Sequence, residues 1–468
     1  MAAMPVEVNK SIMSAPLTAK HYNSTANYER FVNPQWVRLL DILGMNVRYE
    51  RCVGCELFTA DGRRVLDFNS GYCVHNAGHN HPAIKAAIKM ELDADGPAML
   101  QSNVSDLAGE LAARLCASAG GRLTKAFFCS SGSEGVETVI KFARAKTGRN
   151  GIISARGAFH GLTCGALSLM SDGFWRDGFG ALLPDTELVN FGDLAGLESR
   201  LATGRFGALV IEPVQVEGGM RLPAESYLRE AQQLCRRHGA LFVLDEVQTG
   251  FYRTGRFLAA HRYGVEPDMV VLAKALSGGL IPVGAVLMTD AVCDAVYSSF
   301  RRAIVHTSTF GENALAMRAG LATLDVLERE RLGERAGALG DAFRRTLAER
   351  LGQFEMVREV RGVGMLTGVE FQPPGRLRLR LPFEAFMRIY PAMFGQVLVM
   401  RLYRDHGILT QICGNNFMVL KVAPPLVVSE AQLDEFVRAI EAAVATMHRG
   451  GGFWTEALGM ARRVIGSI

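Results

Sequence analysis

The sequence predicts an α/β protein in which a doubly wound, mainly parallel sheet is followed by a smaller α+β domain. Three observations lead to this class. The 468 residues exceed what one small domain contains. Short apolar runs alternate with helical patterns through the middle of the chain, as they do in parallel sheets. From about residue 330 onwards, helices and strands no longer alternate in this way.

The N-terminal part contains a predicted hairpin and two predicted helices. The first 40 or so residues are weakly patterned, and we interpret them as a flexible lead-in or as an arm on a partner subunit. Asp61-Gly62 is a hairpin turn signal between predicted strands at 56–59 and 64–68. Pro82 predicts the start of a helix, where its missing N–H costs nothing. Helical patterning follows at 106–117.

The stretch from Lys125 to Thr147 has the pattern of a strand, a turn and a helix. Residues 126–129 are apolar, and Val136, Val139, Ile140 and Ala143 fall on one helix face. The turn at 130–135 would present free backbone N–H groups at the positive end of a helix, which suits a phosphate. A plain helix cap is the alternative. The turn matches neither the GxxxxGK loop nor the GxGxxG fingerprint.

Two further predicted strands lead to candidate site residues. A strand at 152–154 precedes Phe159, whose ring could stack on a flat cofactor from just beyond the strand end. A fully apolar strand at 206–211 ends at Glu212.

Asp245 and Lys274 each follow a short apolar run, at 241–244 and 269–272. Both runs are too short for helices, so we predict two buried parallel strands joined by a crossover. Ligands bind beyond the carboxyl ends of such strands, so a carboxylate and an amine would point into one crevice. These are the groups that pyridoxal phosphate (PLP) requires: an amine for the Schiff base and a carboxylate facing the pyridine nitrogen. The alternative is that Asp245 caps a turn and Lys274 is solvated.

The C-terminal part has the pattern of a second domain. Residues 325–351 are predicted as a helix with a charged outer face, and residues 360–370 as a strand. Ser429 and Gln432 form a capping box at the start of a helix that carries Leu433, Phe436, Val437 and Ile440 on one side.

Composition excludes several classes of function. The 51 basic and 47 acidic residues leave a net charge of +4, and the basic residues are dispersed, so we expect no nucleic-acid binding. No uncharged run of 18 apolar residues occurs, and the N-terminus lacks the apolar core of a signal peptide, so we expect no membrane association. The nine cysteines are scattered and odd in number, which favours a reducing compartment. The expected location is therefore the cytoplasm.

Two patterns resemble metal sites only weakly, and we expect no metal. Cys52 and Cys55 form a single CxxC without a second pair. His75, His79 and His81 lie in a loop rich in Gly and Asn. Loop histidines of this kind are more often hydrogen-bonded or exposed than metal-bound.

Eight motifs in order carry a family resemblance: HNAGHNHP, SSGSEG, AFHG, EPVQVEGG, LDEVQTGFYRTG, LAKALSGG, HTSTFGENALA and VAPPL. From about residue 55 to 445 the chain resembles the class III aminotransferases, the ornithine, acetylornithine and ω-amino acid group of fold-type I PLP enzymes. The resemblance implies a small domain built from the N- and C-terminal segments. It implies domain ranges of 1–95 and 336–468 for the small domain and 96–335 for the large PLP-binding domain.

The resemblance also implies roles for individual residues. Lys274 would be the Schiff-base lysine and proton shuttle, and Asp245 the partner of the pyridine nitrogen. Gly132 and Ser133 would hold the phosphate, and Phe159 would stack on the ring. The other residues implied in the site are Gln248 as a donor to the ring hydroxyl, Glu212 among the cofactor-binding residues, Thr309 reaching the phosphate of the neighbouring subunit in a homodimer with shared sites, and Tyr72 bordering the substrate channel.

Two departures from the family pattern concern the substrate. Leu162 stands where an Arg that binds a carboxylate is common, and Lys421 stands where an Arg that pairs with a Glu matching Glu217 is common. Leu cannot bind a carboxylate, and Lys offers only a point charge. We therefore expect an amino donor without a carboxylate near the reacting carbon, such as a diamine, polyamine or long-chain primary amine. Lys421 would assist the keto acid acceptor, either pyruvate or 2-oxoglutarate.

Other activities of the same fold remain open. A 2,1-aminomutase would need no second substrate, and a decarboxylating transaminase would release carbon dioxide. A third departure is the segment 376–403, which is longer and more apolar than the corresponding family region. It either lines a channel for a bulky substrate or is an amphipathic helix packed on its own domain, and the second interpretation is favoured.

Overall fold

The computed structural model describes residues 24–99, 102–171, 173–389 and 391–465. The first 23 residues of the predicted lead-in lie outside this part of the chain, while its later residues form two helices. In the described residues the strands are β1 (Tyr49–Val53), β2 (Glu56–Thr59), β3 (Arg64–Asp67), β4 (Lys125–Cys129), β5 (Gly151–Ala155), β6 (Thr186–Val189), β7 (Phe206–Ile211), β8 (Leu241–Asp245), β9 (Met269–Leu272), β10 (Gly284–Met288), β11 (Val357–Val363), β12 (Leu366–Phe371), β13 (Ile408–Leu409), β14 (Gln411–Cys413) and β15 (Asn416–Val422).

The helices of the described residues follow several of the predicted signals, including Pro82 and the capping box at Ser429 and Gln432. They are α1 (Ser24–Phe31), α2 (Pro34–Leu43), α3 (Ser70–Cys73), α4 (Pro82–Asp93), α5 (Asp106–Ala119), α6 (Gly132–Thr147), α7 (Cys164–Ser168), α8 (Gly173–Arg176), α9 (Leu194–Leu201), α10 (Tyr227–Arg237), α11 (Ala259–Tyr263), α12 (Asp290–Val296), α13 (Ala314–Arg329), α14 (Leu332–Leu351), α15 (Leu377–Ile389), α16 (Phe394–His406), α17 (Glu430–Arg449) and α18 (Gly452–Ile465).

The central sheet has seven strands in the order β4-β10-β9-β8-β7-β5-β6. The pairs β9/β8, β8/β7, β7/β5 and β5/β6 are parallel, whereas β10 is antiparallel to both of its neighbours. The predicted mainly parallel sheet is therefore confirmed. β8 and β9 are direct neighbours, as the crossover unit predicted, so their carboxyl ends meet at one edge of the sheet.

Helices cover both faces of this sheet, because its strands are apolar on both sides. Val243 and Val271 pack against α6 residues such as Val139 in one core cluster. The alternating neighbours Leu244 and Leu272 belong to a second cluster on the other face, which α10 covers. This arrangement is the doubly wound α/β fold.

An N-terminal and a C-terminal segment meet in one of two smaller sheets. β3 pairs in antiparallel fashion with β2 and in parallel with β13, where Leu66 lies opposite Ile408. β11, β12, β15 and β14 form an antiparallel sheet. The implied small domain of N- and C-terminal segments is thus confirmed, while the domain boundaries at 95/96 and 335/336 remain predictions.

Two sequence predictions in the C-terminal half were wrong. The predicted helix at 325–351 is interrupted after Arg329, because Arg331 takes a left-handed φ of +52° that a helix cannot continue through. The predicted strand at 360–370 is a hairpin of β11 and β12. Gly364, with φ of +55°, makes its turn, and a Cβ there would lie 2.3 Å from the Arg253 carbonyl oxygen.

Segment 376–403 forms α15, a short 3₁₀ turn and most of α16. Phe383, Phe386 and Phe394 surround the Trp454 ring of α18 at centroid distances of 6.1, 6.5 and 6.4 Å. These contacts agree with the interpretation that the segment packs on its own domain. None of the helices in the described residues is both long and apolar enough to span a bilayer.

The loop histidines are engaged with side chains from other parts of the fold. His79 Nε2 lies 2.7 Å from Asp67 Oδ2, and His81 Nε2 lies 3.1 Å from Glu330 Oε1. The rings of His75 and His79 stack with centroids 3.8 Å apart. In residues 24–465, apart from the gaps stated above, no group of three His, Cys, Asp or Glu side chains is arranged to hold a metal ion.

Candidate active site

A cavity of about 400 Å³ opens beyond the carboxyl ends of β8 and β9. Seven of the predicted site residues line it: Gly132, Ser133, Phe159, Glu212, Asp245, Gln248 and Lys274. The structure therefore brings the predicted amine, carboxylate and helix N-terminus to one place. The other predicted residues, Tyr72, Leu162, Glu217, Thr309 and Lys421, are not among those that line it.

Lys274 follows β9 by two positions and starts a short 3₁₀ helix. Its backbone has a φ of +48°, in the left-handed region that is strained for a residue with a Cβ. Burial lowers the pKa of its amine, although the nearby Asp245 carboxylate opposes this shift. A lowered pKa increases the neutral fraction of the amine, which is the form that attacks a carbonyl carbon.

Asp245 is the last residue of β8 and is buried. The His160 Nδ1–H donates to its Oδ2 at 2.8 Å, and the Val247 N–H donates to its Oδ1 at 3.1 Å. The Ser154 hydroxyl lies 3.1 Å from His160 Nε2. These hydrogen bonds fix the position of the carboxylate at the end of β8, where it can face a ring nitrogen.

His160 is the site residue that sequence reasoning missed. It is buried, and it stands inside the AFHG motif next to the predicted stacking residue Phe159. Its place in that motif was the only signal in the sequence. Its contact with Asp245 could not be predicted, because β7 lies between β5 and β8 in the sheet. Its contact with Asp245 spans 85 residues of sequence.

The N-terminus of α6 forms a cradle for an anion. Ser131 caps the helix by accepting the Glu134 N–H at 3.2 Å, so Gly132 and Ser133 occupy its first two positions. The first N–H groups of a helix have no intrahelical acceptor and carry the positive end of its dipole. The cradle requires small residues: a Cβ at Gly161, which has φ of +116°, would lie 2.5 Å from Ser133 Oγ.

Phe159 and Glu212 form another part of the cavity wall. The Phe159 N–H donates to Glu212 Oε2 at 3.1 Å, which joins the loop after β5 to the residue that follows β7. Burial, reinforced by the Asp245 charge, raises the pKa of Glu212 well above its usual value. Glu212 can therefore keep its proton under conditions in which an exposed carboxyl has lost it.

Gln248 connects the cavity to a buried ion pair. Its Nε2 donates to Glu217 Oε1 at 3.3 Å, while its buried Oε1 has no hydrogen-bond partner among the described residues. Lys421, fully buried, donates to the same Glu217 oxygen. Its Nζ lies 4.4 Å from the centroid of the Tyr72 ring.

Each member of the ion pair shifts the pKa of its partner so that both groups stay charged. Burial alone would raise the pKa of Glu217, but the Lys421 ammonium and the Gly414 N–H hold that pKa below its usual value. Burial alone would lower the pKa of Lys421, and Glu217 raises it. Lys421 thus pairs with Glu217 in this chain, while its predicted role toward the keto acid remains a prediction.

Three predicted residues lie on the surface of this chain, and Tyr72 among them is 41% exposed. Leu162 is 55% exposed, and Thr309 is exposed in the loop that precedes α13. Their roles toward substrate and toward a neighbouring subunit remain predictions.

The lining residues fit PLP. A phosphate suits the α6 N-terminus, Asp245 suits the pyridine nitrogen, and the unpaired Gln248 Oε1 shows that the wall has unused hydrogen-bonding capacity. Lys274 supplies the amine to which the aldehyde would be linked.

Comparison with known proteins agrees with this chemistry. The family model for class III aminotransferases matches residues 42–444. The chain is 36% identical to the putrescine aminotransferase of Pectobacterium atrosepticum over 385 residues, which cover 80% of this chain and 77% of that protein. It is 35% identical to aminotransferase PigE of a Serratia species over 444 residues, which cover 88% of this chain. The same match covers 52% of PigE, so the chain spans about half the length of that relative.

A solved structure supports both the fold and the cofactor. The ornithine aminotransferase of Toxoplasma gondii, crystallised with partial occupancy of PLP in its active site, matches with a TM-score of 0.77 and 29% identity. The match covers 86% of this chain and 91% of that one. From its sequence, fold and cavity, the chain belongs to the class III aminotransferase family of fold-type I, PLP-dependent enzymes.

Proposed function

We propose that the protein is an aminotransferase that takes the amino group from a primary amine or ω-amino donor and passes it to a keto acid, pyruvate or 2-oxoglutarate. The observation that carries this proposal is that Lys274 and Asp245 line the same cavity, at the ends of neighbouring parallel strands. When bound, PLP supplies an aldehyde that takes up the amine and a ring that accepts electrons from the substrate carbon.

The residues of the chain divide the remaining tasks. Lys274, with its lowered pKa, would take up the proton from the substrate carbon at its Nζ and return it. Asp245, oriented by His160, holds a positive charge on the ring nitrogen. Gly132 and Ser133 bind the phosphate at the helix N-terminus, and Phe159 and Gln248 orient the ring through stacking and a hydrogen bond to its hydroxyl.

The charges of the cavity support a donor without a carboxylate. Among the lining residues Lys274 is the one Lys or Arg, and it is committed to the cofactor. Lys421 is buried in its pair with Glu217. A donor carboxylate near the reacting carbon would therefore lose its water without gaining a bidentate partner. The relative named putrescine aminotransferase also supports a donor without a carboxylate, because putrescine is a diamine.

We also propose a homodimer in which Thr309 reaches the neighbouring phosphate. A groove of about 900 Å³ beside the Thr309 loop is lined by Val104 and Ile304, which are 84% and 81% exposed. Large exposed apolar groups of this kind mark interaction surfaces. His306 anchors the loop to α6, with Nδ1 2.8 Å from Lys141 Nζ and Nε2 3.0 Å from Thr138 Oγ1.

Sedimentation tests the dimer. Wild type should sediment as a dimer, and Ile304→Asp should shift toward monomer and lower activity. A wild-type protein that is monomeric and fully active would overturn the shared site. The cytoplasmic location that the sequence predicts remains a prediction.

The activity is tested with purified, PLP-loaded protein and a panel of hexylamine, putrescine and ornithine, each with pyruvate or 2-oxoglutarate. We expect the terminal amines to give an aldehyde together with alanine or glutamate. Lys274→Ala should abolish turnover, and Lys146→Ala, a matched change of an exposed lysine on α6, should not. Ornithine turnover equal to that of hexylamine would contradict the donor class. Turnover that ignores the keto acid would indicate an aminomutase, and release of carbon dioxide a decarboxylating enzyme.

A further inference from the structure

Three aromatic rings form a continuous wall from the cavity to the surface. Phe159 lines the cavity, and its ring centroid lies 5.3 Å from that of Trp175, at an interplanar angle of 75°. The Phe174 ring continues outward, 4.9 Å from Trp175 at 82°. Trp175 is half-buried and Phe174 is 70% exposed. We call these three residues the aromatic wall.

Trp175 is held in place by the turn between β14 and β15. Its indole N–H donates to Asn415 Oδ1 at 2.7 Å. The Asn415 Nδ2 group donates in turn to the carbonyl oxygens of Gly157 and Ala158, just before Phe159. The absence of a side chain at Gly414 makes room for the indole, because a Cβ there would lie 3.3 Å from Trp175 Cζ2. The position of the ring is thus fixed by hydrogen bonds that run through Asn415 to the backbone just before Phe159.

The same network removes charge from the wall. Glu217 accepts from Lys421 and Gln248 at one oxygen and from the Gly414 N–H at the other, 2.7 Å away. A second ammonium on the donor would therefore find this carboxylate already occupied. The wall therefore presents aromatic rings rather than charged groups to a bound molecule, and such rings favour apolar chains.

We propose that the aromatic wall binds the apolar tail of the amino donor, which makes the preferred substrate a primary amine with a long alkyl or aryl chain rather than a diamine. This inference rests on the proposed function and narrows its donor class. The occupant is a substrate tail because the wall is continuous with the cavity that holds Lys274. Two ring-to-ring steps, of 5.3 and 4.9 Å, give the tail room for several methylene groups.

The proposal predicts a dependence on chain length. Each methylene that leaves water for an apolar surface favours binding about fourfold. Octylamine has four more methylenes than butylamine, so kcat/KM should rise by up to about 250-fold if all four are covered and by at least about tenfold if the exposed outer ring covers only part of them. Putrescine should resemble butylamine or be poorer.

The test uses the PLP-loaded protein and two independent measurements. The first is kcat/KM for butylamine, hexylamine, octylamine and putrescine. The second is the binding of 1-octanol and 1,4-butanediol, which lack the amine, by saturation-transfer NMR. Trp175→Ala should flatten the chain-length dependence and weaken 1-octanol binding, while Trp175→Phe should retain both and thereby exclude misfolding. Matched controls are Trp36→Ala and Phe31→Ala, because Trp36 is 44% exposed and Phe31, like Phe174, is 70% exposed.

The outcomes separate this inference from the proposed function. No turnover of any amine, together with 1-octanol binding that depends on Trp175, would refute the proposed aminotransferase activity. It would still support an aromatic wall that binds apolar chains. Turnover whose chain-length dependence survives Trp175→Ala, or a preference for putrescine over octylamine, would refute the role of the aromatic wall and leave the proposed activity intact. A Phe174→Asp variant that sediments differently while keeping the chain-length dependence would also overturn it, since the exposed rings would then form a protein interface.

Discussion

Replacing Lys421 by Met should destabilise the protein severely, because it leaves Glu217 charged and buried without its counter-ion. Lys421 has no exposed surface, and Glu217 is 6% exposed. Breaking a buried pair by removing one partner costs ~3–5 kcal/mol of unfolding free energy. Gln248 and the Gly414 N–H still donate to Glu217, so we expect the lower part of that range. Met fills nearly the same volume, which keeps the cavity contribution small.

The loss should depend on pH in a direction that the pair dictates. In the wild type the lowered pKa of Glu217 gives stability that is present above its unfolded pKa and lost as pH falls through the folded pKa. The raised pKa of Lys421 gives stability that is present below its unfolded pKa and lost as pH rises through the folded pKa. In Lys421→Met, burial is left to raise the pKa of Glu217, so the variant gains stability as the carboxyl takes up a proton. The deficit should therefore be largest at pH 8 and should narrow toward pH 5.

Urea unfolding of the cofactor-free protein, followed by circular dichroism at both pH values, measures this deficit. Glu217→Gln/Lys421→Met should recover most of the loss, since no buried charge remains. Arg331→Met is the matched control: its ion pair with Glu334 has side chains 73% and 68% exposed, so a change within ~0.5 kcal/mol is expected. A Lys421→Met deficit as small as the control, or one that is the same at both pH values, would refute the reasoning.

Three further changes test the site and the fold. His160→Phe removes a hydrogen bond to the charged Asp245, so kcat should fall by about tenfold to a hundredfold while KM changes little; an unchanged kcat would show that the His160 contact is only structural. Gly161→Ala places a Cβ 2.5 Å from Ser133 Oγ and should weaken PLP about tenfold by strain, measured by absorbance titration; equal affinity would contradict the cradle. Ser429→Ala removes the capping box at the start of α17 and should lower the free energy of unfolding in urea by ~1 kcal/mol. The enzymatic activity should not change.

Buried strands and the residues at their ends were the predictable part of this protein. The runs at 206–211 and 269–272 matched β7 and β9 to the residue, because continuous apolar sequence of that length has few other solutions. Asp245 and Lys274 came together because the carboxyl ends of neighbouring parallel strands share an edge. Both results depend on local pattern combined with one topological rule.

Features set by tertiary contacts were not predictable. The four residues of α3, Ser70 to Cys73, all have positive φ and so form a left-handed turn. Asp67 Oδ1 stabilises this turn by accepting the N–H groups of Asn69 and Ser70. No local propensity selects such a conformation for Tyr or Cys. The contact of His160 with Asp245 likewise depends on two strands that a third separates in the sheet.

Because β3 pairs in parallel with β13, this part of the fold can form only late in translation. Asp67 and Leu409 are 342 positions apart in the chain, so a nascent chain growing at about 5–20 residues per second carries an open β3 edge for roughly 20–70 seconds. An unpaired edge recruits other strands. Ribosomes that stall before codon 409 would therefore release products prone to aggregate, and chaperone demand should concentrate in that interval.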